Sequence, residues 1–195
     1  MGQVNPTTRE ALTTAGRFAA EHHSILVTGM TGTGKTYVAC ALAHQACRQG
    51  HRALYRRASR LFHELRLARA DGTYQRLLAR FARVNVLVID DFDLAPLDDH
   101  DKQDLLEVLE DRYATGSTIV TSQLAPDNWH EHLGEPTVAD AICDRLLNHA
   151  HRLALKGPSR RKENTPNRLE RLTPPPSVAS LRFGNDHDGR NGRSR

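Results

Sequence analysis

The apolar residues of this chain fall into two kinds of segment: short continuous runs, and longer stretches in which apolar residues recur every three or four positions. The runs predict strands, and the helical spacing predicts helices. The predicted strands cover 24–28, 53–55, 84–89, 118–121 and 152–155. The predicted helices cover 35–49, 58–69, 74–81, 99–114, 126–133 and 137–149. Because strands alternate with helices, the pattern predicts a three-layer α/β fold with a mostly parallel five-stranded sheet.

Two of these segments carry more detailed expectations. The run 84–89 is almost continuously apolar, which is typical of a central parallel strand that is covered on both faces. The predicted core face of helix 99–114 holds Leu105, Leu106, Leu109 and Tyr113. The acids of that helix are expected to face solvent.

Length and composition indicate one folded domain. The chain has 195 residues, of which 38% are hydrophobic and 26% charged, enough for a packed core. We expect a short N-terminal linker over 1–23, the domain over 24–162 and a disordered basic tail over 163–195. Three cysteines make no disulfide framework, and no apolar run approaches the roughly 18 residues of a membrane span. With no signal peptide at the start, the expected compartment is the cytoplasm.

Charge is segregated along the chain. Residues 48–83, the basic run, hold ten arginines against two acids, whereas residues 90–144, the acidic run, hold fifteen acids against two bases. Such asymmetry favours a surface that binds a polyanion such as DNA through its phosphates, independently of base sequence. The alternative is that both runs are solvated helix faces that partly pair with each other.

The segment from Gly29 to Thr36 matches the pattern G-x-x-x-x-G-K-[ST] and lies between a predicted strand and a predicted helix. Glycines in such a P-loop let backbone amides turn towards phosphate oxygens, and the helix N-terminus adds positive potential. The motif predicts that Lys35 contacts the β- and γ-phosphates of ATP and that the Thr36 hydroxyl binds Mg²⁺. The predicted nucleotide contacts are Gly29, Met30, Thr31, Gly32, Thr33, Gly34, Lys35, Thr36 and Tyr37.

Two acids, Asp90 and Asp91, directly follow the apolar run 84–89, where packing gives no reason for them. Carboxylate oxygens are ligands that Mg²⁺ prefers, so we expect Asp90 to hold the metal together with Thr36. Asp91 is expected to orient and polarise the attacking water.

The predicted strand 118–121 also runs into polar residues. In P-loop ATPases with an additional strand between the P-loop strand and the acidic strand, a polar side chain at this position faces the γ-phosphate. Gln123 fits this place, with Ser122 beside it as an alternative. The other interpretation is an ordinary turn before Pro126.

The run from about residue 24 to residue 162 resembles the IstB-like ATP-binding family, the helper ATPases of transposons, which are similar to the DnaC helicase loader and to the AAA+ class. The supporting stretches are 39–43, 60–65, 104–113, 116–124, 129–131, 134–137 and 139–146. Since these stretches are not phosphate-binding motifs, the resemblance is more specific than the P-loop alone.

The resemblance implies an AAA+-like, Mg²⁺-dependent ATPase that assembles with ATP as a homo-oligomer on DNA and regulates a transposase. It implies that Arg145 is an arginine finger, which reaches the γ-phosphate bound by a neighbouring subunit. Arg161, or Arg160 as the alternative, resembles the sensor-2 arginine that contacts phosphate in the same subunit. The structural alternatives are an Arg145 paired with Asp144 or Asp140, and an Arg161 that belongs to a plain basic tail.

This sequence departs from the family in three respects. It begins only about 28 residues before the P-loop, where family members have a helical N-terminal region, so either this copy is truncated or its true start lies upstream. Asp91 stands where many members of the class have glutamate, and in the tail over 163–195 we identify no stretch that resembles the family. Two other functions therefore stay open: a helicase-loader-like ATPase, and a truncated nucleotide-binding remnant without activity.

Overall fold

The computed structural model describes residues 17–92, 97–157 and 159. The strands are β1 (Ile25–Gly29), β2 (Ala53–Arg57), β3 (Val86–Asp90), β4 (Ser117–Ser122) and β5 (His151–Leu155). The helices are α1 (Lys35–Arg48), α2 (Ala58–Ala70), α3 (Tyr74–Ala82), α4 (Asp99–Arg112), α5 (Trp129–Leu133) and α6 (Pro136–Leu147), with a 3₁₀ turn at Pro126–Asn128. Every element predicted from the apolar pattern is present, and the ends agree within two residues.

The five strands form one sheet in the order β2-β3-β4-β1-β5. All neighbouring strands are parallel, which confirms the predicted α/β fold. In a parallel sheet the carboxyl ends of all strands meet at one edge, where ligands of such folds bind. Because β4 lies between β1 and β3, the P-loop that follows β1 and the acid that ends β3 flank the end of β4.

Alternate residues of the central strands face two separate apolar cores. On one face, Ile25 and Val27 of β1 pack with helix α1. On the other face, Leu26, Leu87 and Ile89 pack with helices α2 to α6. The sheet and the two helical layers are the three layers that the sequence predicts.

The expectation that the acids of α4 face solvent is wrong for two of them. Asp101 and Asp104 are 3% and 0% exposed. Arg66 donates a hydrogen bond of 3.1 Å to Asp101, and Arg69 pairs with Asp104. Both acids are buried because α4 packs against α2, α3 and α6 and so has more than one covered face. Tyr113, expected in the core, follows the end of α4 and is 47% exposed.

The pairs Arg66–Asp101 and Arg69–Asp104 join part of the basic run to the acidic run. The alternative interpretation of the charge pattern predicted such pairing. Within the basic run, Arg56 and Arg60 both pair with Glu64, at 3.0 and 3.3 Å. Arg76 and Arg80 are exposed on α3, four positions apart and therefore on the same face of the helix. The basic surface is thus smaller than the arginine count implies.

Within the described residues, no helix combines the length and the apolar character needed to cross a membrane. The predicted tail over 163–195 and most of the predicted linker lie outside the described residues, so their boundaries stay predictions. Phe18, inside the predicted linker, is buried beside α1, and its carbonyl oxygen accepts a hydrogen bond of 2.9 Å from the Ser117 hydroxyl.

Candidate nucleotide-binding site

The loop between β1 and α1 has a conformation that depends on glycine. Gly29 and Gly32 have φ values of +151° and +85°. A Cβ atom on Gly29 would lie 2.5 Å from the carbonyl oxygen of Leu155, and one on Gly32 would lie 2.0 Å from the hydroxyl of Ser159. The loop therefore lies closer to β5 and Ser159 than side chains at these positions would permit. It leads directly into the N-terminus of α1, where backbone N–H groups lack helical partners and favour anions.

Lys35 is the first residue of α1, and its side chain folds over this loop. Its Nζ donates to the carbonyl oxygens of Gly29, at 2.8 Å, and Met30, at 3.3 Å, and the residue is 7% exposed. Thr33 also donates to the Met30 carbonyl, at 2.8 Å, which helps to fix the loop. Met30 and Tyr37 are both largely exposed beside it. A buried ammonium at a helix N-terminus is suited to bind an anion.

Asp90 ends β3 and is fully buried at the carboxyl edge of the sheet. Its carboxylate accepts hydrogen bonds from Thr36, at 3.0 and 3.1 Å, from Thr121, at 2.5 Å, and from the Tyr55 phenol, at 2.6 Å. The structure thus brings together Thr36 and Asp90, the two predicted Mg²⁺ ligands. A hydroxyl and a carboxylate side by side are a donor set that fits Mg²⁺.

The Tyr55 phenol has an altered acidity because of this contact. Burial, followed by the hydrogen bond to Asp90, raises the pKa of Tyr55 to about 12. The phenol therefore keeps its proton at neutral pH and is the donor towards the carboxylate.

At Asp91 the chain leaves β3 in the left-handed conformation, with φ of +57°. This conformation is uncommon for a residue other than glycine and requires support from its surroundings. Thr121 supplies that support, because its hydroxyl accepts from the Asp91 N–H, at 2.9 Å, and its carbonyl accepts from the Phe92 N–H, at 2.9 Å. The pKa of Arg57, which is exposed at the end of β2, is raised. The main cause is a hydrogen bond with Tyr55, and electrostatic interactions with Tyr55 and Asp91 add to it.

The sequence proposes two residues at the polar end of β4, Gln123 and Ser122, and the structure gives them different contacts. Gln123 reaches the P-loop, where its Oε1 accepts a hydrogen bond of 2.6 Å from Thr31. The Ser122 hydroxyl instead closes the turn after β4, contacting the carbonyl and N–H of Leu124 and the indole N–H of Trp129. Gln123 is thus the residue placed beside the phosphate loop, and its contact with a γ-phosphate stays a prediction.

Arg145 lies near the end of α6 and donates to Asp144 at 2.6 Å, with its guanidinium 4.8 Å from the ring centre of Tyr113. It lines a cavity of about 280 Å³ together with Ser24 and Thr118, at the amino-terminal ends of β1 and β4. Within the chain, its contacts match the structural alternative. Because the strands are parallel, this edge is opposite to the P-loop, so Arg145 does not reach the nucleotide site of its own subunit.

Arg160 and Arg161 lie outside the described residues, so the sensor-2 role stays a prediction. Ser159, two positions before Arg161, lies at the P-loop, since its hydroxyl occupies the space that a Cβ on Gly32 would need. Ser159, the first residue of the segment that resembles sensor 2, therefore lies beside the phosphate loop.

Sequence reasoning missed two partners of Asp90, Tyr55 and Thr121. At the end of β4 it selected Gln123 and Ser122 and passed over Thr121, a polar residue that is 0% exposed in a buried strand. That unexplained polar position was the available signal. Tyr55 gave none, because an aromatic residue is ordinary in a strand.

A parallel sheet with β4 between the P-loop strand and the strand that ends in Asp90 defines the class: a P-loop ATP-binding domain with the AAA+ fold. Solved structures of this class are similar. DnaI has a TM-score of 0.70 at 23% identity, over 80% of this chain and 88% of that one. The DnaC helicase loader has a TM-score of 0.66 at 21% identity, over 80% and 94%. At these identities the likeness shows the fold alone.

The chain belongs to the family of IstB-like ATP-binding proteins, whose model matches residues 7–167. An insertion-sequence ATP-binding protein of Sinorhizobium fredii, y4pL, is 49% identical over 147 residues, which are 75% of this chain and 60% of that protein. The ATP-binding protein of insertion sequence IS1162 from Pseudomonas fluorescens is 52% identical over 110 residues, 56% and 48% of the two chains. The resemblance seen in the sequence is confirmed, and this chain spans about half to three-fifths of the length of these relatives.

Proposed function

We propose that this chain binds and hydrolyses ATP with Mg²⁺, assembles with ATP on DNA, and through that assembly regulates the transposase of an insertion sequence. One observation supports hydrolysis most directly: the Thr36 hydroxyl lies 3.0 Å from Oδ2 of Asp90. Both residues lie beside the loop whose carbonyl oxygens Lys35 contacts. The insertion-sequence proteins among the relatives support transposition rather than helicase loading.

The P-loop binds the phosphates, and the metal is bound where the P-loop helix meets the end of β3. The ammonium of Lys35 and the N–H groups of residues 29–34 bind the phosphates. Thr36 and Asp90 hold Mg²⁺, which when bound neutralises charge on the β- and γ-phosphates. Arg161 adds a phosphate contact from the same subunit, a role supported by the position of Ser159 at the P-loop.

Asp91 and Gln123 act where the γ-phosphate is attacked. The left-handed turn at Asp91, supported by Thr121, sets its carboxylate at the end of β3, where it orients the attacking water. Gln123 contributes a polar group from β4, and its hydrogen bond to Thr31 supports this placement.

Arg145 completes the site of a neighbouring subunit. Its position at the edge opposite to the P-loop supports action between subunits, because two copies stacked edge to edge bring one guanidinium to the other's nucleotide. Within the free subunit, Asp144 and Tyr113 hold the guanidinium. Hydrolysis is therefore coupled to assembly.

Replacing Asp91 with asparagine is expected to slow ATP hydrolysis by about a hundredfold while ATP binding is kept. The amide cannot accept the proton or polarise the water as a carboxylate does. Asparagine also tolerates the left-handed conformation, so the turn at φ +57° persists. Steady-state phosphate release and ATP affinity by calorimetry separate the two effects.

The matched control for this variant is Asp99→Asn, which removes an exposed carboxylate from the first turn of α4. It is expected to hydrolyse ATP at the parent rate. Turnover by Asp91→Asn equal to the parent would remove Asp91 from the reaction. The link to transposition is tested by insertion of a marked element in cells that supply its transposase together with parent or Asp91→Asn. A frequency independent of this chain would contradict the proposed function.

DNA binding is expected to depend on Arg76 and Arg80, whose exposed guanidinium groups share one face of α3. The double alanine variant should bind duplex DNA roughly tenfold more weakly at low salt, and the slope of log affinity against log salt should fall by about two, because two phosphate contacts are lost. Titrations at several salt concentrations with ATP present measure both quantities.

Two further proteins complete that titration. The Arg17→Ala/Arg152→Ala variant removes two exposed arginines from other parts of the chain and is expected to keep the parent slope. A chain that lacks residues 163–195 tests the basic tail as the DNA-binding element. If only the tail deletion lowers the slope, the surface on α3 does not bind DNA.

A further inference from the structure

The carboxylate of Asp90 is held from three sides. Thr36 approaches from α1, Thr121 from the neighbouring strand β4, and Tyr55 from the neighbouring strand β2. The parallel register pairs Tyr55 with Val88, two positions before Asp90, so the tyrosine side chain spans those two positions to reach the carboxylate. The sheet topology therefore makes this contact, and the sequence motifs of the site do not include it.

The two carboxylate oxygens have different anchors. Oδ1 accepts from Thr121 at 2.5 Å, and Oδ2 accepts from Tyr55 at 2.6 Å. The Thr36 hydroxyl lies almost equally far from both oxygens, at 3.1 and 3.0 Å. The carboxylate plane thus faces Thr36 with one oxygen fixed by each neighbouring strand. Since rotation about χ2 of an aspartate is otherwise broad, these two hydrogen bonds define the orientation.

We propose that Tyr55 is a positioning residue for the metal ligand Asp90: its phenol holds the carboxylate in the orientation in which Asp90 and Thr36 bind Mg²⁺ together. The proposal rests on the proposed function, in which these two residues hold the cation. Groups that hydrogen-bond to a metal ligand orient it, and their loss commonly lowers metal affinity or activity 10–100-fold.

The position of Tyr55 separates this role from a role in packing. The residue lies on an edge strand and is 37% exposed, and it is not among the side chains of the two buried cores. Replacement by phenylalanine keeps the ring and deletes only the hydroxyl, which donates to Asp90 and also has a hydrogen bond with the exposed Arg57. The change therefore tests the contacts of this hydroxyl and not the packing of the ring.

The experiment measures how much Mg²⁺ strengthens nucleotide binding, with a non-hydrolysable ATP analogue and the full chain, by calorimetry with and without Mg²⁺. In Tyr55→Phe the gain in affinity from Mg²⁺ is expected to shrink about tenfold or more, while metal-free affinity stays that of the parent. The Mg²⁺ concentration that gives half-maximal ATP hydrolysis should rise by a similar factor.

Tyr74→Phe is the matched control, because the Tyr74 phenol also donates to carboxylates, those of Asp104 and Glu107, which belong to α4. It is expected to lower thermal stability and to leave the effect of Mg²⁺ unchanged. An unchanged Mg²⁺ effect in Tyr55→Phe, or an equal loss in both variants, would overturn the proposal. If the parent itself shows no Mg²⁺ effect, the assignment of Asp90 as a ligand fails first, and the positioning role fails with it.

Discussion

Replacing Lys35 with alanine is expected to weaken the binding of Mg·ATP by about a hundredfold or more, the largest effect of any single change in the site. The ammonium is the buried cation of the P-loop, and it lies at the N-terminus of α1, where phosphate charge is expected. Without ligand the Lys35 ammonium contacts the carbonyl oxygens of Gly29 and Met30. Its removal therefore leaves no buried carboxylate without a partner. The fold should therefore persist.

Calorimetric titration with ATP, together with circular dichroism of the apo variant, measures the two parts of this expectation. Lys102→Ala is the matched control, since it removes a lysine of α4 that pairs with Asp99 and lies outside the site. An ATP affinity of Lys35→Ala equal to that of the parent would rule out phosphate binding by this loop.

Replacing Arg112 is expected to cost about 3–5 kcal/mol of unfolding free energy, the largest loss of stability in the chain. Its guanidinium is 1% exposed and donates to the carbonyls of Phe81, Val84 and Ser117 and to the hydroxyl of Thr118. Burial lowers the pKa of Arg112 to about 10. One side chain thus satisfies acceptors from the segment before β3 and from the start of β4, and its loss leaves them buried without a donor.

The comparison of Arg112→Lys with Arg112→Leu separates charge from geometry. Lysine keeps the charge but has three donors in place of five, so it should restore only part of the stability. Arg48→Lys, an exposed change at the end of α1, is the control and should stay within about 0.5 kcal/mol of the parent. Urea denaturation followed by fluorescence gives the values. An Arg112→Lys variant as stable as the parent would show that the carbonyl cluster does not require a guanidinium.

The secondary elements could be predicted because each depends on local spacing. The run of β3 is buried at every position, as its continuous apolar sequence indicates. The burial of two acids of α4, Asp101 and Asp104, could not be predicted in the same way. Asp104 is buried because Arg69 and Tyr74, from two other helices, meet it there. Periodicity identifies an apolar face, but it carries no information about which distant cation covers an acid.

In the candidate site, too, the residues in local motifs could be predicted and those brought in by the sheet could not. Lys35, Thr36 and Asp90 lie in short motifs at strand ends, and the parallel sheet brings strand ends together. Tyr55 and Thr121 contact Asp90 across 35 and 31 positions of sequence. Their contacts depend on strand order and register, which are set by the packing of the whole sheet. A sequence motif therefore predicts the candidate ligands of the site and leaves out the residues that hydrogen-bond to them.

The placement of Arg145 and the P-loop at opposite edges of the sheet gives each subunit a direction. Contacts that join the arginine edge of one copy to the nucleotide edge of the next are head-to-tail, and they generate a closed ring or an open filament. In an open filament one terminal copy has a nucleotide site that no neighbour completes. Under the proposed role of Arg145, the fraction of complete sites rises with filament length, so we expect a long filament to turn over more ATP per copy than a short one. Turnover per copy would then report the extent of assembly.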